Sequence, residues 1–305
     1  MRNLSKSIVT AVLLSIALIA VGVEFIAPYL PPYAGTPDAK TVRTLSLPAA
    51  ARLEIHAVDG SIRVAVNEDP AATLCEVTAD IRLYKVGRTQ SETDPNEQIS
   101  RVVSADADSD VIRVRSLPED WPAEIAAVVK YAVTVPRGTD IDVRGVNGNV
   151  WVAEGCGKVS VESGNADVEV LNPTGPVVAR STNGRLRLFG GRGSSVLETV
   201  NGNIRADMVE GSLTAASVNG RVQAEVLGPA VLACALRSEN GDVNVGLGAD
   251  VGYTLDANAV RGDVLGDAGL PIDRASPGSF RSATGSGDTR LTLTTANGSI
   301  RLTRR

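Results

Sequence analysis

Between Ile141 and Val226 five Asn residues stand at intervals of eighteen: Asn147, Asn165, Asn183, Asn201 and Asn219. Gly follows at Gly148, Gly184, Gly202 and Gly220, with Ala166 the one departure. Three and five residues past each Asn come Val150/Val152, Val168/Val170, Leu186/Leu188, Ile204/Ala206 and Val222/Ala224. Six and four residues before it stand Ile141/Val143, Val159/Val161, Val177/Ala179, Ser195/Leu197 and Leu213/Ala215. Steps of two on either side of a turn are strand periodicity. A fixed short period marks units that each leave an apolar face open and bury it by stacking on their neighbours.

Two arrangements of such strands compete. An isolated Asn-Gly between strands signals an antiparallel hairpin, whereas identical spacing over five copies favours coils of one parallel stack. Eighteen residues are too few for a propeller blade and lack the helical segment of a leucine-rich repeat. The expected fold is therefore all-β, a parallel β-solenoid of 18–21 residues per coil, with equivalent positions about 4.8 Å apart along the axis. Asn and Gly suit the corner because both tolerate a positive φ.

The phrase recurs outside the main array. Leu53, Ile55 and Ala57 precede Asp59-Gly60, and Ile62 and Val64 come after it, which marks a first coil with Asp at the turn. Residues 65–138 then interrupt the pattern. Thr73–Leu83 and Val111–Val114 read as strands, Asp94–Val103 as a short helix opened by Pro95, and Ser104–Asp110 as a polar turn. Such an insertion is expected to close one end of the stack, since solenoids need capped ends. Beyond Val226 the interval lengthens to twenty-one, through Asn240-Gly241 and Arg261-Gly262; a last phrase carries Asn297-Gly298 and closes on Arg304-Arg305, expected to form a charged edge.

Arg2 and Lys6 precede an apolar run from Ile8 to Val23, and a Pro-rich step comes next. Basic residues ahead of such a run direct the downstream chain across the membrane. The run is short for a span, which needs roughly 17–25 residues. It reaches that length by continuing through Ala27 with Glu24 near the interface. An uncleaved anchor and a cleaved signal peptide both stay open. Three regions result: 1–34, a signal anchor or signal peptide with its linker; 35–138, first coil and inserted cap; and 139–305, the repeats.

Composition narrows the chemistry. The net charge of −5 implies no nucleic-acid partner. Cys75, Cys156 and Cys234 form no Cys-x-x-Cys pair, and His56 is the single histidine, so no zinc constellation or cofactor site is expected. Cys234 occupies an inward position, while pairing of Cys75 with Cys156 stays undecided. Carboxylate clusters of the kind a glycan-cleaving enzyme needs do not recur in one column. The charged columns say more. Arg144, Glu162, Arg180 and Glu198 alternate in sign three residues before their turns and predict a register-setting ladder of ion pairs. Arg185, Arg187, Arg205 and Arg221 fall two or four residues after theirs, a cluster without carboxylates between its members and with Trp151 and Glu169 toward one end; it forms either one basic patch or, the preferred reading, a solvated face whose arginines pair with Asp167, Glu169 or Asp207.

The run Val129-Lys130-Tyr131-Ala132-Val133-Thr134-Val135-Pro136-Arg137-Gly138-Thr139-Asp140-Ile141-Asp142-Val143, leading into Val146-Asn147-Gly148-Asn149-Val150, resembles the bacterial putative-adhesin family of β-strand-repeat envelope proteins. The likeness covers roughly residues 41–305. It departs where Arg or Asn follows the Gly in place of the more usual Asp. The resemblance implies a right-handed parallel β-helix exposed outside the membrane, with no general catalytic residues to carry over. Three functions are compatible: a non-enzymatic envelope protein presenting a rigid surface for adhesion or sensing, a self-assembling β-helical structural protein, and an envelope carbohydrate-active enzyme. The first is the leading expectation. Its partners would be the membrane through the N-terminal helix and an anionic envelope polymer or another envelope protein.

Overall fold

The structure is a computed structural model that describes residues 36–86, 93–227, 231–267, 276–285 and 288–305. The N-terminal apolar run, expected to be a membrane or signal helix, lies outside the described residues. Among the described residues no helix is long and apolar enough to cross a membrane.

The fold is all-β and solenoid-like, its strands joined in one sheet of mostly parallel ladders. In the repeat region each coil supplies two strands that meet at the Asn-Gly corner. They are β8 (Asp140–Asn147) and β9 (Val150–Val152), β10 (Val159–Asn165) and β11 (Val168–Leu171), and β12 (Val177–Asn183) and β13 (Leu186–Phe189). Then come β14 (Arg192–Asn201) and β15 (Ile204–Asp207), β16 (Glu210–Ser217) and β17 (Val222–Val226), and β18 (Val231–Ser238) and β19 (Val243–Leu247). Parallel register sets Asn147 against Asn165 and Asn183 against Asn201. Parallel pairing excludes the hairpin arrangement. The alternation then buries Val150, Val168, Leu186, Ile204 and Val222 in one continuous core. Cys234 joins that core as a small apolar side chain.

The corners hold together for reasons other than a positive φ. In this column only Gly60 and Gly148 adopt one, at +126°. At Gly184, Gly202 and Gly220 a Cβ would stand 1.8–2.0 Å from the carbonyl oxygen of the residue stacked in the previous coil. Close axial approach, not left-handed backbone, is what demands glycine there. Asn serves the corner through its side chain: Asn165, Asn183, Asn201 and Asn219 each donate Nδ2–H to the Oδ1 of the Asn one coil back, at 2.6–2.8 Å. A second ladder runs beside it inside the wall. Ser181, Thr199, Ser217 and Ser238 donate their hydroxyls to the corner carbonyls of Ala166, Gly184, Gly202 and Gly220 at 2.8–3.1 Å. These hydroxyls stand two residues before each corner Asn and are buried.

The N-terminal end begins with β1 (Ala39–Pro48), then β2 (Arg52–Asp59) and β3 (Ile62–Val66), which stack as a coil on β8 and β9 with Asp59 opposite Asn147. The insertion adds one further layer. β6 (Val111–Ser116) lies parallel to β2, and β7 (Ile125–Val135) parallel to β3. Antiparallel strands close it: β4 (Leu74–Lys85) on β7, β1 on β4, and β5 (Val103–Ala107) on β6. The expected helix is confined to α1 (Pro95–Gln98), capped by Asp94, and a 3-10 turn at Ile99–Arg101. The expected polar turn at Ser104–Asp110 is mostly strand β5, because Val103 and Ala105 pack on the core. The turn itself is Asp108–Asp110, where Asp108 Oδ1 accepts from the N–H groups of Asp110 and Val111.

The C-terminal end departs from chain order. After β19 comes β20 (Tyr253–Gly266), hairpinned to β21 (Ser276–Thr284); β22 (Thr289–Thr295) and β23 (Ile300–Arg304) are next in sequence. In space β22 and β23 pair with β18 and β19 on one side and with β20 on the other. The last phrase of the sequence is thus an interior coil, and the Arg261 segment lies outside it. The C-terminal arginines do not form the edge expected of them: Arg305 pairs with Glu225 at 3.0 Å, and Arg304 donates to the Ala249 carbonyl.

Candidate functional site: a charged strand face

Past each corner Asn the second and fourth residues turn outward. Stacking converts these into two columns. Two residues past the corner stand Ser61, Asn149, Asp167, Arg185, Asn203 and Arg221; four past it stand Arg63, Trp151, Glu169, Arg187, Arg205 and Gln223. The four arginines singled out in the sequence do share this face. They are not a uniform basic field, because carboxylates stand beside each of them.

Arg185 binds Asp167 twice, from Nε at 3.1 Å and Nη2 at 2.7 Å, and its backbone N–H also donates to that carboxylate at 2.8 Å. Partial burial pushes the Asp167 carboxyl up, but the hydrogen bonds and charge of Arg185 outweigh it and hold the pKa below the ordinary value. Arg187 lies 3.5 Å from Glu169, Arg205 2.6 Å from Asp207, and Arg221 3.5 Å from Asp242. Only Arg187 and Arg205 are direct axial neighbours. The acids come from the coil before, from the coil after, or from the same strand; Asp167, Glu169 and Asp207 are the partners the sequence offered, and Asp242 joins them from the next coil.

At the N-terminal end of this face lies an open groove of about 360 Å³, lined by Arg63, Asn149, Trp151, Glu169, Arg185 and Arg187 among others. Arg63 sits over the Trp151 ring, 4.6 Å from its centroid. Sequence reasoning missed Arg63, although it stands four residues past Asp59 just as Trp151 stands four past Asn147. The 65–138 insertion hides that equivalence.

The three cysteines and the single histidine lie wholly or partly inside the fold. Cys75, Cys156 and Cys234 are buried free thiols. Burial pushes them up to about 11, 12 and 12 respectively, far from the thiolate form. His56 is half-buried with Arg144 and Arg115 stacked on either side of it. Burial, then those two cations, lower its pKa against the opposing pull of Glu54 and Asp142. The alternating column closes in part: Arg180 meets Glu162 at 3.7 Å and Glu198 at 2.7 Å, while Arg144 turns to Asp142 at 3.7 Å. Among the described residues no group of three or more His, Cys, Asp or Glu is placed to hold a metal ion.

Comparison with known proteins bears on this architecture. A model of the Toastrack DUF4097 family matches residues 125–303. No curated protein matches the chain in sequence. Among solved structures, a putative adhesin from Bacteroides fragilis is similar with 14% identity and a TM-score of 0.50, covering 89% of this chain and 100% of that one. A putative cell adhesion protein from Clostridium sporogenes covers 88% of this chain and 100% of that one, with 10% identity and a TM-score of 0.27. The Bacteroides likeness bears on the fold alone.

Proposed function

The chain belongs to the Toastrack DUF4097 family, and we propose that it is a non-enzymatic protein of the cell envelope whose rigid coil stack presents its charged strand face to an anionic envelope polymer. The observation that carries this reading is the face itself. Two register-locked columns of outward Arg, Asn, Asp and Glu run along coils whose opposite sides are packed into one core. Side chains held in register on a rigid wall lose little entropy on meeting an extended partner. The N-terminal apolar segment is taken to hold the protein at the membrane with the body outside, and the coils are taken as right-handed, the hand that parallel-strand connections adopt. The engagement of the cysteines and the histidine in structure supports a non-catalytic role.

Self-assembly end to end is less well supported. Both ends of the stack finish in antiparallel strands, β1–β4–β7 and β20–β21, which interrupt the parallel ladder that another coil would extend.

The reading is tested in cells and with the purified full chain. Protease shaving of intact cells should remove a C-terminal tag while fractionation keeps the N-terminal segment in the membrane. The pure protein should bind anionic wall polymers at low salt and weaken at moderate salt. A variant with Arg185, Arg187, Arg205 and Arg221 all changed to Gln should bind less. A tag protected from protease, equal binding by both proteins, or release of product in a glycan-cleavage screen would overturn the proposal.

A further inference from the structure

We infer that the Arg63–Trp151 end of the groove is a subsite for the carboxylate of an acidic glycan, an inference that rests on the charged-face reading above and names its ligand class.

The charge count points there. The groove holds the three guanidinium groups of Arg63, Arg185 and Arg187 against the two carboxylates of Asp167 and Glu169. Arg185 is matched by Asp167 and Arg187 by Glu169. Among the described residues Arg63 has no carboxylate partner, so the one unmatched positive charge sits at its end. Its guanidinium carbon lies over the Trp151 ring, 4.6 Å from the centroid. Among the described residues its N–H donors make no hydrogen bond, and a guanidinium with free donors takes a carboxylate through two parallel hydrogen bonds.

The surroundings suit a sugar. The Ser61 hydroxyl, the Asn149 amide and the Trp151 indole N–H line the same end, and among the described residues none makes a side-chain hydrogen bond. At the equivalent positions Asn203 and Asp242 are occupied: their Oδ1 atoms accept the backbone N–H of Arg221 and Ser299. The free groups around Arg63 can therefore serve the hydroxyls of a bound ring, with Glu169 as an acceptor beside them. A single excess positive charge flanked by two carboxylates matches a monoanionic uronate. A polyphosphate chain also carries about one charge per phosphate, but it brings no ring hydroxyls to meet Ser61, Asn149 and Glu169.

Binding of polygalacturonate to the full-length protein in detergent, monitored by tryptophan fluorescence and by retention on the immobilised polymer, tests this. Dextran serves as the neutral polymer and polyphosphate as the phosphate one. Wild type should bind polygalacturonate in preference to both. Arg63→Gln should weaken that binding about tenfold, the scale of one lost charge-assisted contact. Arg63 is exposed, so its loss should leave the fold intact. Arg281→Gln, an exposed arginine on β21 outside the charged face, should bind as wild type does. Unchanged binding by Arg63→Gln, equal binding of dextran, or preference for polyphosphate would overturn the subsite. If the four-arginine variant loses binding and Arg63→Gln does not, the charged-face reading survives and the subsite fails. If wild type retains no acidic polymer, both fail.

Discussion

Asn297 donates its side-chain Nδ2–H to Asn240 Oδ1 across 2.7 Å, although the two stand 57 residues apart in the chain. With Asn240 bonded to Asn219 at 2.8 Å and Arg261 reaching Asn297 at 3.4 Å, one amide ladder runs the length of the stack. It has a direction. Every Asn donates toward the N-terminal end, where Asp59, an acceptor only, receives Asn147 at 2.6 Å; at the other end stands Arg261, a donor only.

The ladder's direction predicts an asymmetry between two substitutions. Burial, opposed by the Asn147 hydrogen bond, raises the Asp59 pKa, so the folded state holds its proton more tightly than the unfolded chain. The associated stability is present below the ordinary carboxylate pKa and is lost as pH rises through the raised one. Asp59→Asn should unfold at equal or higher temperature than wild type at pH 7 and lose that part of the pH profile. Asn183→Asp instead faces Asn165 Oδ1 with an oxygen that cannot donate, and should cost about 1–3 kcal/mol in urea unfolding. Equal effects of the two changes would show that the ladder carries no directional energy.

Gly202→Ala should destabilise more than Gly138→Ala. A Cβ at Gly202 would meet the Gly184 carbonyl oxygen at 1.8 Å, so coils must part, at about 1–3 kcal/mol or more. Gly138 has φ +85 but nothing within 4 Å, leaving only backbone strain of about 1–2 kcal/mol. Comparison of the two urea midpoints decides the order.

His56 should make the N-terminal end acid-sensitive. Its folded pKa is lowered by burial and by Arg144 and Arg115, so the unfolded chain binds the proton more readily. The stability is full above the unfolded pKa, about 6.5, and is lost as pH falls below it. Between pH 7.5 and 5.5 the thermal midpoint of wild type should drop more than that of His56→Gln. Parallel profiles would remove this role.

Leu293→Asp should unfold the stack as thoroughly as Leu186→Asp, despite its place near the C-terminus. Both side chains are fully buried. Leu293 is flanked by Leu236 on one side and Ala257 on the other. An unpaired carboxylate there costs several kcal/mol out of a total of roughly 5–15. Local fraying with the remaining coils intact, seen by hydrogen exchange, would contradict the interior placement.

The buried thiols give a reporter for all of these variants. Native-state labelling of Cys75, Cys156 and Cys234 should be slow at pH 8 and should accelerate in proportion to loss of stability, since each must be exposed before a thiolate forms.

What the sequence determined by itself is the coil. Eighteen-residue spacing with apolar residues two apart favours the parallel stack over hairpins as the way to bury Val168, Leu186 and Ile204 together, and those side chains lie stacked in the core. Asp59 was legible as a corner for the same reason. Tertiary structure decided what depends on neighbours in space. The sequence order of Asn240, Arg261 and Asn297 does not show that the last is inserted between the other two, because a strand pairs with whichever edge fits its apolar pattern and not with its successor in the chain. The glycines at the corners are legible as residues, but the carbonyl 1.8 Å from a hypothetical Cβ exists only after stacking. The charged face divides in the same way. Alternation fixed that Arg185, Arg187, Arg205 and Arg221 point outward, with Asp207 beside Arg205 on its own strand, while stacking brought Asp167, Glu169 and Asp242 to the others and set Arg63 over Trp151. A local period fixes direction, and only the packed stack fixes which side chains become neighbours.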